Sequence, residues 1–267
     1  MSNAISVWGV ARAFGGRVGL RIEDHDQTRS RPEFEAAILE DLAWVGYVPD
    51  DIFPPQRERG PRYEEALRSL QGQGLAYACA CTRKLLEPGP GPLGGERRYP
   101  GTCRDRSLNG GVELARRVRL EPRTVAFEDL RLGPIEQTPA DQCGDVLVRD
   151  RLGQWTYQFA VVVDDFDQGV DLVIRGEDLL ASTGRQIQLG RLLGREHAGR
   201  FLHHPLITRE DGAKLSKSNR DTGIRDLRAA GLSVEQVLGR AAAALGLGDG
   251  HPLDHTAIVA RIRATVG

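Results

Sequence analysis

The sequence predicts an α/β fold built on a parallel sheet, and two observations lead to that prediction. The first 46 residues show the order helix, strand, helix. Much later in the chain, two β-rich runs, TYQFAVVVDD and VDLVIRG, are followed by a helical segment, LLASTGRQIQLGRLLG. Such alternation is typical of strands joined by helical crossovers. We therefore expect a parallel sheet covered by helices, with a different kind of segment between the two alternating parts.

The composition is that of a folded globular protein. The chain has 267 residues, of which 40% are hydrophobic, 27% charged and 6% aromatic, enough for one large domain or two modest ones. No apolar run approaches the ~18 residues that cross a bilayer, and the start lacks the features of a signal peptide. We expect a cytoplasmic monomer without a membrane partner. Because 36 Lys and Arg residues balance 37 Asp and Glu residues, any nucleic acid must be contacted by a local basic patch.

Two helices and one strand are predicted in the first alternating part. Residues 3–14 carry apolar side chains at a spacing near 3.6, and Gly15–Gly16 ends this helix. The apolar run at 17–23, VGLRIED, predicts a buried strand with acidic residues at its end. For the second helix, Ser30 is the expected N-cap and Pro32 lies in the first turn. Its apolar face is formed by Phe34, Ile38, Leu42 and Val45.

The middle of the chain predicts an irregular insertion. Glycine and proline are so frequent in residues 87–101, EPGPGPLGGERRYPG, that neither a helix nor a strand is expected. This segment lies between Cys79 and Cys81 on one side and Cys103 on the other. In a reducing cytoplasm, soft sulfur ligands favour zinc, although three cysteines are one ligand short, and three unrelated free thiols are the alternative. Cys143 stands apart and is expected to be a plain buried thiol.

A strand, an exposed loop and two helices are predicted for the last third of the chain. The segment HHPLIT predicts a strand that leads into a turn at Asp211–Gly212, and AKLSKSN follows as the loop. Two amphipathic helices, at about residues 233–245 and 255–265, begin after the cap candidates Ser233 and Asp254.

Lysine usage singles out that loop. Only three of the 36 cations are lysines, Lys84, Lys214 and Lys217, and two of them fall within KLSKS. Two ammonium groups and two hydroxyls can surround a polyphosphate and follow its charge during a reaction. A solvated surface loop is the alternative for so short a motif.

The KLSKS motif resembles the lysine–serine signature of class I aminoacyl-tRNA synthetases, and the longer segment HHPLITREDGAKLSKSN resembles their glutamate-specific branch. So do RIEDHDQTRSRPEFEAAILEDLAWVG, TYQFAVVVDD and VIRGEDLL, and the similarity extends from about residue 3 to about residue 245. The length is similar to that of the short members of this branch, which lack an anticodon-reading half. The resemblance implies a Rossmann-like catalytic domain with a small zinc-binding insertion and a helical C-terminal segment.

The resemblance also implies an ATP-dependent ligase. ATP with Mg²⁺ activates L-glutamate as glutamyl-adenylate, and Lys217, supported by Lys214, binds ATP and stabilises the pyrophosphate charge. In the short members, glutamate then passes to the queuosine base of tRNA(Asp). Two alternatives stay open: a catalytically inactive relative that only binds glutamate or RNA, and a C-terminally shortened enzyme that charges tRNA(Glu).

Three residues are implied to bind glutamate. Glu23 ends the first predicted strand and would accept a hydrogen bond from the α-ammonium group, unless it is a surface carboxylate of an acidic stretch. Arg175 ends VDLVIRG and would pair with a carboxylate, unless it forms a surface salt bridge to Glu177 or Asp178. Tyr157 is interpreted as the start of a strand, and its phenol would orient the substrate; an ordinary tyrosine at the edge of the core is the alternative.

A fourth zinc ligand is implied by the same resemblance. The family pattern, Cys-x-Cys followed by Tyr-x-x-x-Cys, is matched by Cys79, Cys81, Tyr99 and Cys103. Four protein ligands close the coordination shell, so such a site is structural. His203 and His204 are expected to be structural histidines of their strand, and contact with the nucleotide is the alternative.

The start of the chain departs from the family pattern. That pattern begins with a strand, a Gly-rich turn and a His-Ile-Gly-His signature, and Met1 follows shortly after the place where the signature would end. The absent part would supply phosphate contacts and would cover a sheet edge. A misassigned start codon or a clipped chain is the expected explanation, with an inactive gene as the alternative.

Four segments follow from these patterns. Residues 1–75 and 126–200 are expected to be the two parts of the Rossmann-like catalytic domain, without its first strand and His-Ile-Gly-His signature. Residues 76–125 are expected to form the zinc-binding insertion, which would help to hold the RNA. Residues 201–267 are expected to hold the lysine–serine loop and a helical segment that contacts the RNA stem.

Overall fold

A computed structural model of the protein describes residues 1–26, 28, 30–86, 97–108, 113–206 and 223–266. Lys214, Lys217 and the predicted turn at Asp211–Gly212 lie outside the described residues, as does most of the Gly- and Pro-rich segment. Within the described ranges, no helix combines the length and the hydrophobicity of a membrane span.

The helices and strands alternate along most of the chain. The helices are α1 (Ser2–Phe14), α2 (Pro32–Trp44), α3 (Gly60–Gly72), α4 (Pro139–Gln142), α5 (Tyr157–Asp167), α6 (Thr183–Leu192), α7 (Ile224–Ala229), α8 (Val234–Ala244) and α9 (His255–Val266). The strands are β1 (Gly19–Leu20), β2 (Asp51–Ile52), β3 (Ala76–Cys79), β4 (Ala115–Val118), β5 (Val125–Asp129), β6 (Gly133–Gln137), β7 (Val146–Arg149), β8 (Leu172–Gly176) and β9 (Arg200–His204).

The described strands form three sheets. β1 and β2 pair in parallel. A four-stranded sheet has the order β6-β5-β9-β8, in which β9 pairs in parallel with both β5 and β8, and only β6 is antiparallel. β3, β4 and β7 form an antiparallel sheet. The prediction of an α/β fold with parallel strands is confirmed, and β3, β4 and β7 add an antiparallel sheet that the sequence did not reveal.

Helix α1 packs between the parallel strands and the C-terminal helices. Ile5 of α1 is fully buried in a cluster with Ile258 and Ile262 of α9. Gly9 permits this approach, because a Cβ atom there would lie 2.2 Å from Cδ1 of Ile262. A second apolar cluster joins α3, α5, α6 and β7, so α5 lies at the centre of the fold.

The prediction of a strand for TYQFAVVVDD is wrong, because these residues form α5. Tyr157 is therefore the first residue of a helix and not of a strand. The side chains from Phe159 to Val163 are all buried. A helix that is buried on every side shows the same continuous apolar run as a buried strand, and the β-branched valines favoured the wrong choice.

The first strand and the second helix also differ from their predictions. The predicted strand at 17–23 shrinks to two residues of β1, and most of the run is not buried. Helix α2 begins after Arg31 instead of Ser30, and no residue within it is buried. Phe34 and Ile38 are 54% and 49% exposed, because this face of α2 lines the wide cleft described below instead of packing on the sheet.

The remaining helix predictions are confirmed. The first helix ends at Gly15, whose φ of 72° places it in the left-handed region that glycine tolerates. Ser233 caps α8 by accepting a hydrogen bond from the backbone N–H of Gln236 at 3.3 Å. Asp254 does the same for α9, with its Oδ1 accepting from the N–H of Ala257 at 2.7 Å.

Candidate functional site

A cleft of about 1780 Å³ is lined by residues of both parallel sheets and by α1, α2 and α5. Small-molecule pockets usually measure about 300–1,000 Å³, so this cleft has room for more than one small ligand. Its charged and phenolic lining residues include Arg21, Glu23, Tyr157, Asp165 and Arg175. The three residues predicted to bind glutamate, Glu23, Tyr157 and Arg175, are thus brought to the same cleft.

Arg175 lies in β8 and is only 6% exposed. Its Nε donates to Nε2 of His203 at 3.1 Å, its Nη1 to Oε1 of Gln186 at 2.6 Å and its Nη2 to Oγ1 of Thr183 at 2.9 Å. All three partners are uncharged side chains or an imidazole. The surface salt bridge considered for Arg175 is not seen: Glu177 pairs with Arg131, and the described ion pairs include none between Arg175 and Asp178.

The environment of Arg175 favours an anionic ligand. Burial lowers its pKa, although the phenol of Tyr157 and the charges of Asp165 and Glu23 oppose that effect. Arginine nevertheless stays protonated in proteins, and a buried charge is costly unless it is paired. Within the described part of the chain, no carboxylate forms an ion pair with this guanidinium, so a carboxylate ligand would satisfy it.

Tyr157 and Glu23 lie on the same side of the cleft as Arg175, and the phenol of Tyr157 is a hydrogen-bond partner of the guanidinium. Tyr157 is the first residue of α5, and burial together with the charge of Glu23 raises the pKa of its phenol, which is therefore protonated at neutral pH. Glu23 follows β1, and its Oε1 accepts a hydrogen bond from Nη2 of Arg21 at 2.9 Å. This bond orients the carboxylate at the cleft wall.

Sequence reasoning missed two residues of this wall, Arg21 and Asp165. Nη1 of Arg21 donates to Oδ1 of Asp165 at 2.9 Å and to Oε1 of Gln168 at 2.7 Å. Burial raises the pKa of Asp165, against the opposing effect of Arg21. The sequence does show that each is a charged residue within an apolar run, Arg21 in VGLRIED and Asp165 in TYQFAVVVDD. A charged side chain that is buried needs a partner, so this pattern could have indicated both residues.

The four predicted metal ligands also lie together. The Sγ atoms of Cys79, Cys81 and Cys103 lie within 4.8 Å of one another, and those of Cys81 and Cys103 are 3.6 Å apart. The phenolic oxygen of Tyr99 lies 3.6 Å from Sγ of Cys79. Zinc–sulfur bonds of about 2.3 Å in a tetrahedron place sulfurs ~3.8 Å apart. The donor set and its spacing therefore fit zinc, whereas Cys143 is buried elsewhere, with Sγ 3.2 Å from the carbonyl oxygen of Pro139.

Protonation of the cluster also bears on metal binding. Burial raises the pKa of the Cys81 thiol to about 11, and hydrogen bonds to Cys103 and Cys79 add to the effect. Burial opposes ionisation of Cys103 as well, yet the backbone N–H of Ala80 and neighbouring side chains lower its pKa. A thiol binds a metal as thiolate, so a bound cation would offset the cost of gathering these charges.

Tyr99 is held in place by hydrogen bonds to Cys143 and Cys103. Its backbone N–H donates to the carbonyl of Cys143 at 2.9 Å, and its phenolic oxygen accepts from the N–H of Cys103 at 2.7 Å. Gly144, the residue after Cys143, has a φ of 68°, and a Cβ atom there would lie 2.1 Å from the carbonyl oxygen of Tyr99. Only glycine fits this position.

Asp145 links the same cluster to β7. This fully buried carboxylate accepts hydrogen bonds from Tyr77 at 2.6 Å, from Nε of Arg104 at 2.8 Å and from the N–H of Leu120 at 3.1 Å. Arg104 directly follows Cys103, and Tyr77 lies in β3, which ends at Cys79. The cysteine-bearing segments are therefore tied to one side chain of the central part of the fold.

The family of the chain follows from a match that covers most of its length. Residues 2–238 match the family described as tRNA synthetases class I (E and Q), catalytic domain. The chain belongs to that family. The resemblance to glutamate-specific class I synthetases predicted from the sequence is confirmed.

Curated relatives of this class I synthetase domain are similar over most of its length. It is 44% identical over 221 residues to the glutamyl-Q tRNA(Asp) synthetase of Bordetella bronchiseptica, covering 81% of this chain and 69% of that protein. To the glutamyl-Q tRNA(Asp) synthetase of Nitratidesulfovibrio vulgaris it is 40% identical over 261 residues, covering 90% and 79%.

A solved structure shares the fold of this class I synthetase domain. The glutamate tRNA ligase from Elizabethkingia meningosepticum, in complex with its amino acid, matches with a TM-score of 0.77 at 22% sequence identity. The match covers 97% of this chain and 60% of that one. Within this family domain, Lys214 and Lys217 remain outside the described residues, so their predicted contact with ATP stays a prediction.

Proposed function

We propose that this chain activates L-glutamate with ATP as glutamyl-adenylate and transfers the glutamyl group to the queuosine base of tRNA(Asp). One observation carries the glutamate part: the Arg175 guanidinium is buried beside a wide cleft with uncharged partners on three of its nitrogens. Family membership supports the use of ATP. The names of the relatives support the acceptor.

Three side chains would recognise the amino acid. Arg175 would pair with the side-chain carboxylate of glutamate, because that pair neutralises the buried charge. Glu23 would accept hydrogen bonds from the α-ammonium group, and the protonated phenol of Tyr157 would donate to a substrate oxygen. Glutamine would bind poorly, because its amide brings no charge to Arg175.

The chemistry would take place in two displacements. An oxygen of the α-carboxylate attacks the α-phosphorus of ATP, a new O–P bond forms, and the bond to the bridging oxygen breaks as pyrophosphate leaves. Lys217 and Lys214 would stabilise the charge that develops on pyrophosphate, together with Mg²⁺. A hydroxyl of queuosine then attacks the carbonyl carbon, and AMP leaves.

Zinc would have a structural role. Cys79, Cys81, Tyr99 and Cys103 would hold the ion, and the metal would cross-link β3 to the segment that carries Cys103. The half-buried Arg116 of β4, which pairs with β3, would then have a fixed position from which to contact the RNA backbone.

Glutamate-dependent exchange of pyrophosphate into ATP tests this function with the purified full chain. We expect exchange with L-glutamate and a rate on the order of 100-fold lower with L-glutamine, because the missing charge leaves Arg175 unpaired. We also expect glutamate transfer to queuosine-bearing tRNA(Asp) and none to the same tRNA without queuosine.

Two other results would overturn the proposal. Calorimetric binding of L-glutamate without exchange would mean a protein that only binds its amino acid. Exchange followed by charging of tRNA(Glu) alone would mean a shortened glutamyl-tRNA synthetase.

Replacing Cys81 by serine tests the metal site. We expect the purified wild-type chain to carry about one zinc ion, and the variant to lose most of it together with part of its thermal stability, since structural zinc contributes to folding. Elemental analysis and thermal unfolding measure both effects. Cys143→Ser is the matched control, because Sγ of Cys143 lies at the backbone carbonyls of Pro139 and Gly144 and is not one of the clustered sulfurs. Equal zinc contents in both variants would contradict the assignment.

A further inference from the structure

Three neighbouring strands bring a carboxylate, an imidazole and a guanidinium into one buried row. Asp129 ends β5, His203 lies in β9 and Arg175 lies in β8. Arg175 and His203 are direct partners in the register of β8 and β9. Asp129 and His203 are fully buried, so this end of the row is shielded from water, whereas Arg175 at the other end lines the cleft.

The hydrogen bonds fix the ionised state of Asp129. Its Oδ2 accepts from the backbone N–H of His203 at 3.0 Å and lies 2.7 Å from Nδ1 of the same residue. Its Oδ1 accepts from the backbone N–H groups of Arg131 and Leu132 at 3.0 and 2.9 Å. A carboxyl surrounded by donors on both oxygens is a carboxylate, so the hydrogen of the imidazole is on Nδ1.

The other imidazole nitrogen then accepts hydrogen bonds. With the hydrogen on Nδ1, Nε2 of His203 is an acceptor, Nε of Arg175 donates to it at 3.1 Å, and Oγ1 of Thr183 lies 3.2 Å from it. A proton on Nε2 would point an N–H at the N–H of Arg175 and place two positive charges side by side. Burial lowers the pKa of His203, and Arg175 and Arg131 act in the same direction, while Asp129 opposes them.

The guanidinium is therefore held on three of its nitrogens. His203 accepts a hydrogen bond from Nε, Gln186 accepts one from Nη1, and Thr183 accepts one from Nη2. Gln186 is itself fixed, because its Nε2 donates to Oε1 of Gln158 at 2.8 Å. Arginine has five N–H groups, so two remain on Nη1 and Nη2 for Tyr157 and a ligand.

We propose that His203, held by Asp129 as its Nδ1–H tautomer, is a positioning residue that fixes the plane of the Arg175 guanidinium for the substrate carboxylate. This proposal rests on the proposed function, because it assigns the carboxylate to glutamate. His203 touches no substrate atom itself. Its role is to accept one hydrogen bond that keeps the two remaining N–H groups of Arg175 aimed at the cleft.

A matched pair of variants tests this role. In His203→Gln, the amide oxygen can take the place of Nε2 and accept from Arg175, whereas His203→Met keeps similar bulk and removes the acceptor. We expect His203→Gln to bind L-glutamate within about threefold of the wild type and His203→Met to bind it about tenfold more weakly, the usual effect of one lost hydrogen bond to a charged group. Calorimetry measures both. In exchange kinetics, the KM for glutamate should rise in His203→Met while the KM for ATP stays unchanged.

A purely structural role predicts a different pattern. If His203 only fills space, His203→Met keeps the affinity for glutamate, or both variants lose glutamate and ATP affinity together with thermal stability. Either result would overturn the proposal.

Nitrogen-15 NMR separates this inference from the function on which it rests. In the wild-type chain at neutral pH, we expect His203 to show a protonated Nδ1 and an unprotonated Nε2, and the Arg175 Nε–H to exchange slowly with water. The exchange should accelerate in His203→Met. These signals are read without any ligand, so a chain that binds no glutamate would refute the proposed function while the NMR result still decides the role of His203. A protonated Nε2, or an Arg175 signal unaffected by His203→Met, would refute the positioning role.

Discussion

Replacing Arg175 by lysine is expected to weaken L-glutamate binding by on the order of 100-fold or more. A lysine ammonium is a point charge on a flexible stem, so it cannot reach His203, Gln186 and Thr183 and still pair with a carboxylate. The loss should be larger than for His203→Met, because the charge partner itself is displaced. Calorimetric titration with L-glutamate measures the effect, and exchange kinetics should show it as a rise in KM.

The matched control for this variant is Arg123→Lys. Arg123 is 62% exposed and pairs with Glu121 outside the cleft lining, and exposed pairs of this kind contribute little. We expect wild-type affinity for glutamate from the control. If Arg175→Lys also kept that affinity, the assignment of Arg175 to the substrate carboxylate would be wrong.

Replacing Asp164 by asparagine is expected to lower the free energy of unfolding by about 3–5 kcal/mol. The Asp164 side chain is completely buried in α5 and accepts hydrogen bonds from Gln56 at 2.8 Å, Tyr63 at 2.8 Å and Arg59 at 2.7 Å. Asparagine would remove the charge that balances Arg59 and would turn an amide N–H₂ toward these donors. Urea unfolding measures the loss.

Asp167→Asn is the control for the buried carboxylate, because it lies on the same helix and shares a partner. Asp167 is 24% exposed and pairs with Arg59 and Arg62. Water can replace these contacts, so we expect a loss of about 1 kcal/mol or less. Equal losses in the two variants would show that burial of Asp164 does not set its contribution.

Local signals in the sequence explain what could be predicted of the fold. The 3.6-residue spacing and the terminal glycine identified α1, and Ser233 and Asp254 identified the starts of α8 and α9. These features depend on residues within one turn of each other. The strand order and the antiparallel sheet of β3, β4 and β7 could not be predicted, since pairing depends on contacts between distant segments.

The candidate site shows the same division. The cysteine spacing and the family pattern predicted the four metal ligands that the structure brings together. The ends of the predicted strands indicated Glu23 and Arg175, which both line the cleft. Arg21 and Asp165 are separated by 144 positions, so their pairing could not be predicted from the sequence around either residue. The contact between His203 and Arg175 follows from the register of β8 and β9, which no local pattern specifies.

The shared carboxylate of Asp145 has a mechanical consequence. A movement of the cysteine-bearing segments relative to Asp145 must break the hydrogen bonds of its carboxylate to Arg104 and Tyr77. Asp145 directly precedes β7, and the buried residues of β7 pack in one apolar cluster with α3 and α5. The antiparallel sheet therefore has no hinge at this junction. It should melt together with the core in a single cooperative transition, so that removal of the proposed zinc ion would weaken the molecule as a whole.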